Sequence, residues 1–92
     1  MLEEIHKRYG QLNVVVYDFE SRNDMLESHS HQSSDTHITI CVRGEVEVVF
    51  PNKTQTLKEG NIIEFFPNQR HAIKALVDNS RIVNIPINYV QP

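Results

Sequence analysis

One cysteine, Cys41, is all this chain holds, so no disulfide can form within it and a reducing, cytoplasmic compartment is expected. No apolar run approaches the roughly 18 residues of a membrane-spanning helix. The opening Met-Leu-Glu-Glu-Ile has neither the basic nor the apolar region of a secretory signal. Basic runs are missing too: 9 Lys and Arg stand against 12 Asp and Glu, a net charge of −3, which argues against nucleic acid as a direct partner. Internal repeats, linkers and low-complexity segments are absent. What remains is 92 residues, 39% hydrophobic and 23% charged, the makeup of one folded domain over residues 1–92 with a single small core. A core that small would gain from a partner subunit.

Nearly every segment reads as strand. Leu12 to Phe19, His37 to Val42, Glu45 to Phe50, Asn61 to Phe66, His71 to Val77 and Arg81 to Val90 are rich in β-branched and aromatic residues. Turn signals separate them at Arg43-Gly44, Pro51-Asn52-Lys53, Glu59-Gly60-Asn61, Pro67-Asn68-Gln69 and Asp78-Asn79-Ser80. Many short strands with regular turns predict an all-β sandwich or barrel over residues 12–90. Residues 1–11 are expected to form an N-terminal arm: Leu2, Ile5 and Tyr9 have the spacing of a short helical turn, and the same stretch can instead add a strand.

The main functional signal is histidine. Four of the five, His29, His31, His37 and His71, fall where a small barrel can bring them together. Residues two apart on a strand share a face, so His29 and His31 can present both rings to one interior. His37 follows at an even offset, but Gln32-Ser33-Ser34-Asp35 reads as a loop and breaks the parity, and His71 must come from elsewhere in the fold. Imidazole suits zinc, copper, iron and nickel, so several convergent rings point to a transition-metal site. His6 lies apart from this group and is expected on the surface.

Residues 37 to 43, His-Ile-Thr-Ile-Cys-Val-Arg, can be read in two ways. If His37 points inward, Thr39, Cys41 and Arg43 share its face, Thr39 and Cys41 line a pocket with the histidines, and Ile38, Ile40 and Val42 form an outer apolar face. Such a face needs a cover, from another sheet or a second subunit. The opposite parity buries the isoleucines and exposes His37. Glu64, in the apolar run Ile62-Ile63-Glu64-Phe65-Phe66, faces either solvent or the pocket, and Glu27 and Asp35 are the other carboxylates near the histidines.

The order His29-Ser30-His31, Gly44 after a strand, Gly60, Pro67 and His71 resembles the two sequence motifs of the cupin superfamily, over nearly the whole chain. Residue by residue, His29 and His31 match the first motif's histidine pair, Gly44 and Gly60 the two glycines, Pro67 the proline and His71 the last histidine. His37 stands where the family's glutamate is expected, Asn68-Gln69-Arg70 replaces the glycine often found after the proline, and Ala75 takes the place of a common asparagine. Residues 71 to 81 look most like small single-domain cupins associated with sugar or uronate processing. The resemblance implies a double-stranded β-helix, or jelly roll, with a divalent metal (zinc, iron, nickel, manganese or copper) held by His29, His31, His37 and His71 at the barrel mouth. It also implies a homodimer, through sheet packing or exchange of N-terminal strands.

A site of neutral imidazoles leaves a divalent ion its full positive charge as a Lewis acid. Arg43, Arg70 and Arg81 can offer forked donors to an anionic ligand, and Arg70, directly before His71 at the expected rim, is the best placed. These expectations describe a metal-dependent protein acting on a small oxygenated or sugar-derived acid, as an isomerase, a hydrolase-like enzyme or a dioxygenase. The alternatives are a ligand-binding sensor module that works with a partner protein and a scaffold domain whose pocket stays empty. No residue is assigned a catalytic role from sequence.

Overall fold

The computed structural model describes residues 1–29 and 36–87, and for Ser28 and His29 the backbone alone. His31, Asp35 and the expected end of the last strand at residues 88–90 lie outside the described residues. The described part is all β: β1 (Leu2–Tyr9), β2 (Leu12–Phe19), β3 (Met25–His29), β4 (Thr36–Arg43), β5 (Glu45–Phe50), β6 (Lys53–Lys58), β7 (Ile62–Phe65), β8 (His71–Ala75) and β9 (Ser80–Ile87). They form a five-stranded sheet in the order β1-β2-β9-β4-β7 and a four-stranded sheet in the order β3-β8-β5-β6. All the pairings are antiparallel. Because neighbours in each sheet are mostly far apart in sequence, the chain alternates between the two sheets and the core forms between them, the jelly-roll arrangement that the family resemblance implies.

The core follows period-2 alternation. On β5, Val46, Val48 and Phe50 are buried while Glu45, Glu47 and Val49 turn outward. Phe19, Ile82, Phe65, Leu57 and Ile73 meet them from the other strands. On β4, Thr39 and Cys41 are buried at 1% and 0% exposure, so the inward parity holds for this strand; the reading that buried the isoleucines is overturned. A register shift between Cys41 and Arg43 ends the alternation there, and Arg43 emerges exposed.

The helical-turn reading of residues 1–11 is also overturned. Leu2 to Tyr9 pairs along its full length with β2, from Leu2 opposite Phe19 to Tyr9 opposite Leu12, and Gly10 closes the hairpin at φ +63. Eight ladder positions outweigh a helix this short, which is marginal alone. Leu2 packs against the core while Ile5, opposite Val16, points the other way.

The β4–β5 turn is pinned by Ser80. Its side chain is fully buried, its Oγ accepts from the Glu45 amide at 3.2 Å and donates to the Val77 carbonyl at 2.9 Å. Gly44 fits above it at φ +77, where a Cβ would come within 2.9 Å of the Ser80 Cα. At this end of the barrel Arg81 clamps Asp18 with two bonds, Nε to Oδ1 at 2.5 Å and Nη2 to Oδ2 at 2.8 Å, and Arg43 donates to the Asn79 carbonyl at 2.7 Å. Two of the three candidate ligand-binding arginines are therefore held by protein partners, roughly 20 Å along β4 from His37.

Candidate functional site

The opposite end of the barrel carries His29, His37 and His71. His29 on β3 and His71 on β8 are direct register partners, so two segments far apart in sequence meet on one sheet. His71 is 2% exposed. Its ring stacks on Phe65, centroids 3.7 Å apart and planes 9° from parallel. Phe65 lies on β7 of the other sheet, directly opposite His37 of β4. One aromatic ring thus joins the sheet carrying His71 to the sheet carrying His37.

The hydrogen bond at Nδ1 of His71 settles its tautomer. Nδ1 lies 2.8 Å from the carbonyl oxygen of Gln69. A carbonyl only accepts, so Nδ1 carries the proton and donates it, and the neutral ring keeps its lone pair on Nε2. Metal-binding histidines are ordinarily arranged in this way, with the remote N–H anchored on a carbonyl or carboxylate. The backbone bond comes from the turn that ends in His71, where Asn68 takes φ +64 and the Phe66 amide donates to Gln69 Oε1 at 3.1 Å.

His37 is half-buried and held by side chains instead. Its Nδ1 lies 3.0 Å from Nδ2 of Asn84, whose Oδ1 accepts from the Thr39 hydroxyl at 2.8 Å. Thr39 and Asn84 face each other across the β4–β9 ladder, and His37 is the next inward position on β4, so the three side chains run along one inner face. Asn84 was not singled out from sequence. Its signal was there: in Arg-Ile-Val-Asn-Ile-Pro-Ile it is the one amide in an apolar strand, at the parity of buried Ile82.

The other candidates are spread out. Cys41 belongs to the core, its thiol 3.6 Å from the carbonyls of Arg43 and Gly44, and burial pushes its pKa up, so it remains a thiol rather than a nucleophile. Arg70 is exposed and lines a surface groove with Val49, Phe50, Pro51 and Ala72. Glu64 is exposed opposite Ile38, on the outer side of its sheet, and Glu27 is exposed as well. His6 is on the surface beside Glu4, with Nε2 3.0 Å from its Oε2. Among the described residues no group of three or more His, Cys, Asp or Glu side chains comes together; His31 and the side chain of His29 lie outside them. The donors that are described, the imidazoles of His37 and His71 at the same end of the barrel, are of the type that suits a borderline transition metal.

A family model for the cupin domain matches residues 15–83. No curated protein matches the chain. Among solved structures, the KdgF protein from Halomonas sp. is 20% identical with a TM-score of 0.81, over 92% of this chain and 76% of that one. A cupin superfamily protein from Desulfitobacterium hafniense is 10% identical, also with a TM-score of 0.81, over 97% and 79% of the two chains. An RmlC-like cupin from Desulfovibrio desulfuricans is 20% identical at a TM-score of 0.75, over 92% and 79%. At these identities the likeness concerns the fold.

Proposed function

The chain belongs to the cupin family, and on that premise we propose that it is a small metal-binding cupin whose histidines hold a divalent transition metal and act through it on a small oxygenated or sugar-derived acid. The observation that supports this reading is His71, buried, stacked on Phe65 and held by the Gln69 carbonyl in the tautomer that carries its proton on Nδ1. His29, its register partner, and His37, the register partner of Phe65, sit at the same end of the barrel. His31 completes the set by its closeness to His29 in sequence.

A divalent ion held there supplies a Lewis acid that polarises a bound oxygen. The chain's own residues bind and orient. The Phe65 ring covers one face of His71 and keeps water from it. Thr39 and Asn84 hold the His37 ring in place. Arg70, exposed and next to His71 in sequence, brings a positive charge to a carboxylate ligand. The test is calorimetric titration of zinc-loaded and metal-free protein with a panel of small sugar acids and hydroxy acids. Heat from the loaded protein alone supports the reading; equal binding by both forms favours a metal-independent binding module, and binding by neither form refutes a substrate of this class.

A second copy of the chain is the partner that the outer side of the five-stranded sheet suits. Ile5, Val16, Val83, Ile40 and Ile62 are register neighbours in turn across all five strands, an aliphatic row facing away from the core. Beside it Glu3, Asp18 and Arg81 form a row of both charges, which a two-fold axis can oppose to itself. Light scattering should give twice the chain mass for the native protein and the single chain mass for Ile40→Asp; a native monomer overturns the proposal. Among the described residues no helix is long and apolar enough to cross a membrane, and a lone reduced Cys41 suits the cytoplasm.

A further inference from the structure

We propose that the open edge of β1 pairs antiparallel with β1 of a second copy of the chain, about a two-fold axis at Ile5, so that two five-stranded sheets join edge to edge. The contact is independent of the metal reading. It also differs from the face pairing proposed above, because it leaves the outer face of each chain uncovered.

β1 stands at the end of its sheet, and among the described residues it pairs with β2 alone. Leu2 to Tyr9 keep an unbroken register with β2, with neither a proline nor a bulge. Those devices ordinarily blunt an edge, so the N–H and C=O groups of β1 that point away from β2 form a regular template for another strand. The other edges are poorer templates. β7 is only four residues long, β3 has a register shift after Leu26, and β6 carries a lysine at each end and no acid.

The charges of β1 select the partner. The strand reads Leu-Glu-Glu-Ile-His-Lys-Arg-Tyr, with acids before Ile5 and bases after it, and Glu3, Glu4, His6, Lys7 and Arg8 are all exposed. A parallel copy in register would set Glu3 on Glu3 and Lys7 on Lys7, which repel. An antiparallel copy sets the acidic half against the basic half.

A two-fold axis normal to the sheet keeps each face on its own side, so only residues of equal parity meet. With Ile5 on the axis, Ile5 meets Ile5 and Glu3 meets Lys7 twice on the outer face, with Cβ atoms about 5 Å apart. On the inner face Glu4 meets His6, and Arg8 lies diagonally within reach of Glu4. Placing His6 on the axis would instead set Ile5 against Lys7 and Glu3 against Tyr9, which loses both the outer ion pairs and the apolar match. The Ile5 register also continues the outer aliphatic row: Ile62, Ile40, Val83, Val16 and Ile5 of one copy lead into Ile5 of the next.

The test is analytical sedimentation of charge-swapped chains. A single strand pair is a narrow and therefore weak contact, so it is read at high protein concentration. Ile40→Asp, which removes the face contact, is the background. It should sediment as one chain when dilute and approach twice that mass when concentrated, less so at high salt. Added to that background, Glu3→Lys places cations and Lys7→Glu places anions at both outer positions, so either variant should remain a single chain at the same concentration. Their equimolar mixture restores both ion pairs and should regain twice the chain mass. In the mixture, and in neither variant alone, the β1 amides directed away from β2 should gain protection from hydrogen exchange.

A background chain that stays single at every concentration, variants that associate as it does, or a mixture that does not associate would each overturn the proposal. Ile40→Asp already paired when dilute is decided by the same variants: pairing lost in each and regained on mixing belongs to the edge, and pairing kept in each overturns the proposal. Native protein whose dilute mass is unchanged by Ile40→Asp defeats the face pairing, and native protein that takes up no metal defeats the metal reading; neither result bears on the charge swap.

Discussion

Phe65 and His71, on strands of opposite sheets, stack face to face with centroids 3.7 Å apart. The contact closes the histidine end of the barrel and fixes one face of a buried ring whose opposite edge is tied to the Gln69 carbonyl. Phe65→Ala would leave a cavity under His71 and should cost about 3–5 kcal/mol in denaturant unfolding. If the histidines hold a metal in the folded protein as proposed, added zinc should recover part of that loss by mass action. A Phe65→Ala variant with native stability would mean that the stack is incidental.

The pairing of Asp18 with Arg81 sets an acid limit on stability. The Arg81 guanidinium, helped by Arg43, holds the Asp18 carboxyl below its ordinary value against the opposing effect of desolvation. A carboxylate depressed in the folded state contributes stability that is present above the unfolded value of about 3.9 and is lost as pH falls through the folded value. Asp18→Asn should therefore be less stable at neutral pH by about 1 kcal/mol, as befits a partly exposed pair. The gap from the native protein should close below about pH 4. Chemical denaturation at several pH values reads both; a pH-independent gap would assign the effect to packing.

Gly44 is the turn position with least tolerance. Its positive φ disfavours any L side chain, and the backbone of Ser80 lies directly under where a Cβ would project. Gly44→Ala should lower stability by roughly 1–3 kcal/mol, through backbone strain and displacement of Ser80. Gly60, also at positive φ but in open space, supplies the control: its alanine variant carries the strain without the clash and should lose less. Equal losses at the two positions would remove any special role for the Ser80 contact.

Much of this architecture was legible before the fold was seen, and the exceptions have physical causes. β2, β4, β5, β7, β8 and β9 announce themselves through β-branched and aromatic residues between turns. Asn68 and Asn79, read as turn residues, take φ +64 and +58. β6 escaped because Lys-Thr-Gln-Thr-Leu-Lys is polar: it is an edge strand that buries only Leu57. β3, Met-Leu-Glu-Ser-His, lacks β-branched residues, and its pairing with β8 carries it. In β1 the three-residue spacing of Leu2 and Ile5 suggested a helical turn, yet in a strand the same spacing places them on opposite faces. At the candidate site, sequence offered His37 and His71 as ligands but passed over Asn84, because the role of an amide depends on the strand beside it, and register between distant strands is not written locally.

The most direct test of the central claim, that histidines from distant segments converge to hold a metal, is elemental analysis of protein purified without chelator, native and His71→Ala side by side. The expected result is near-stoichiometric divalent transition metal in the native protein and its loss in the variant. Native protein without metal that also takes up none on dialysis against micromolar zinc, or metal retained in full by folded His71→Ala, would contradict it.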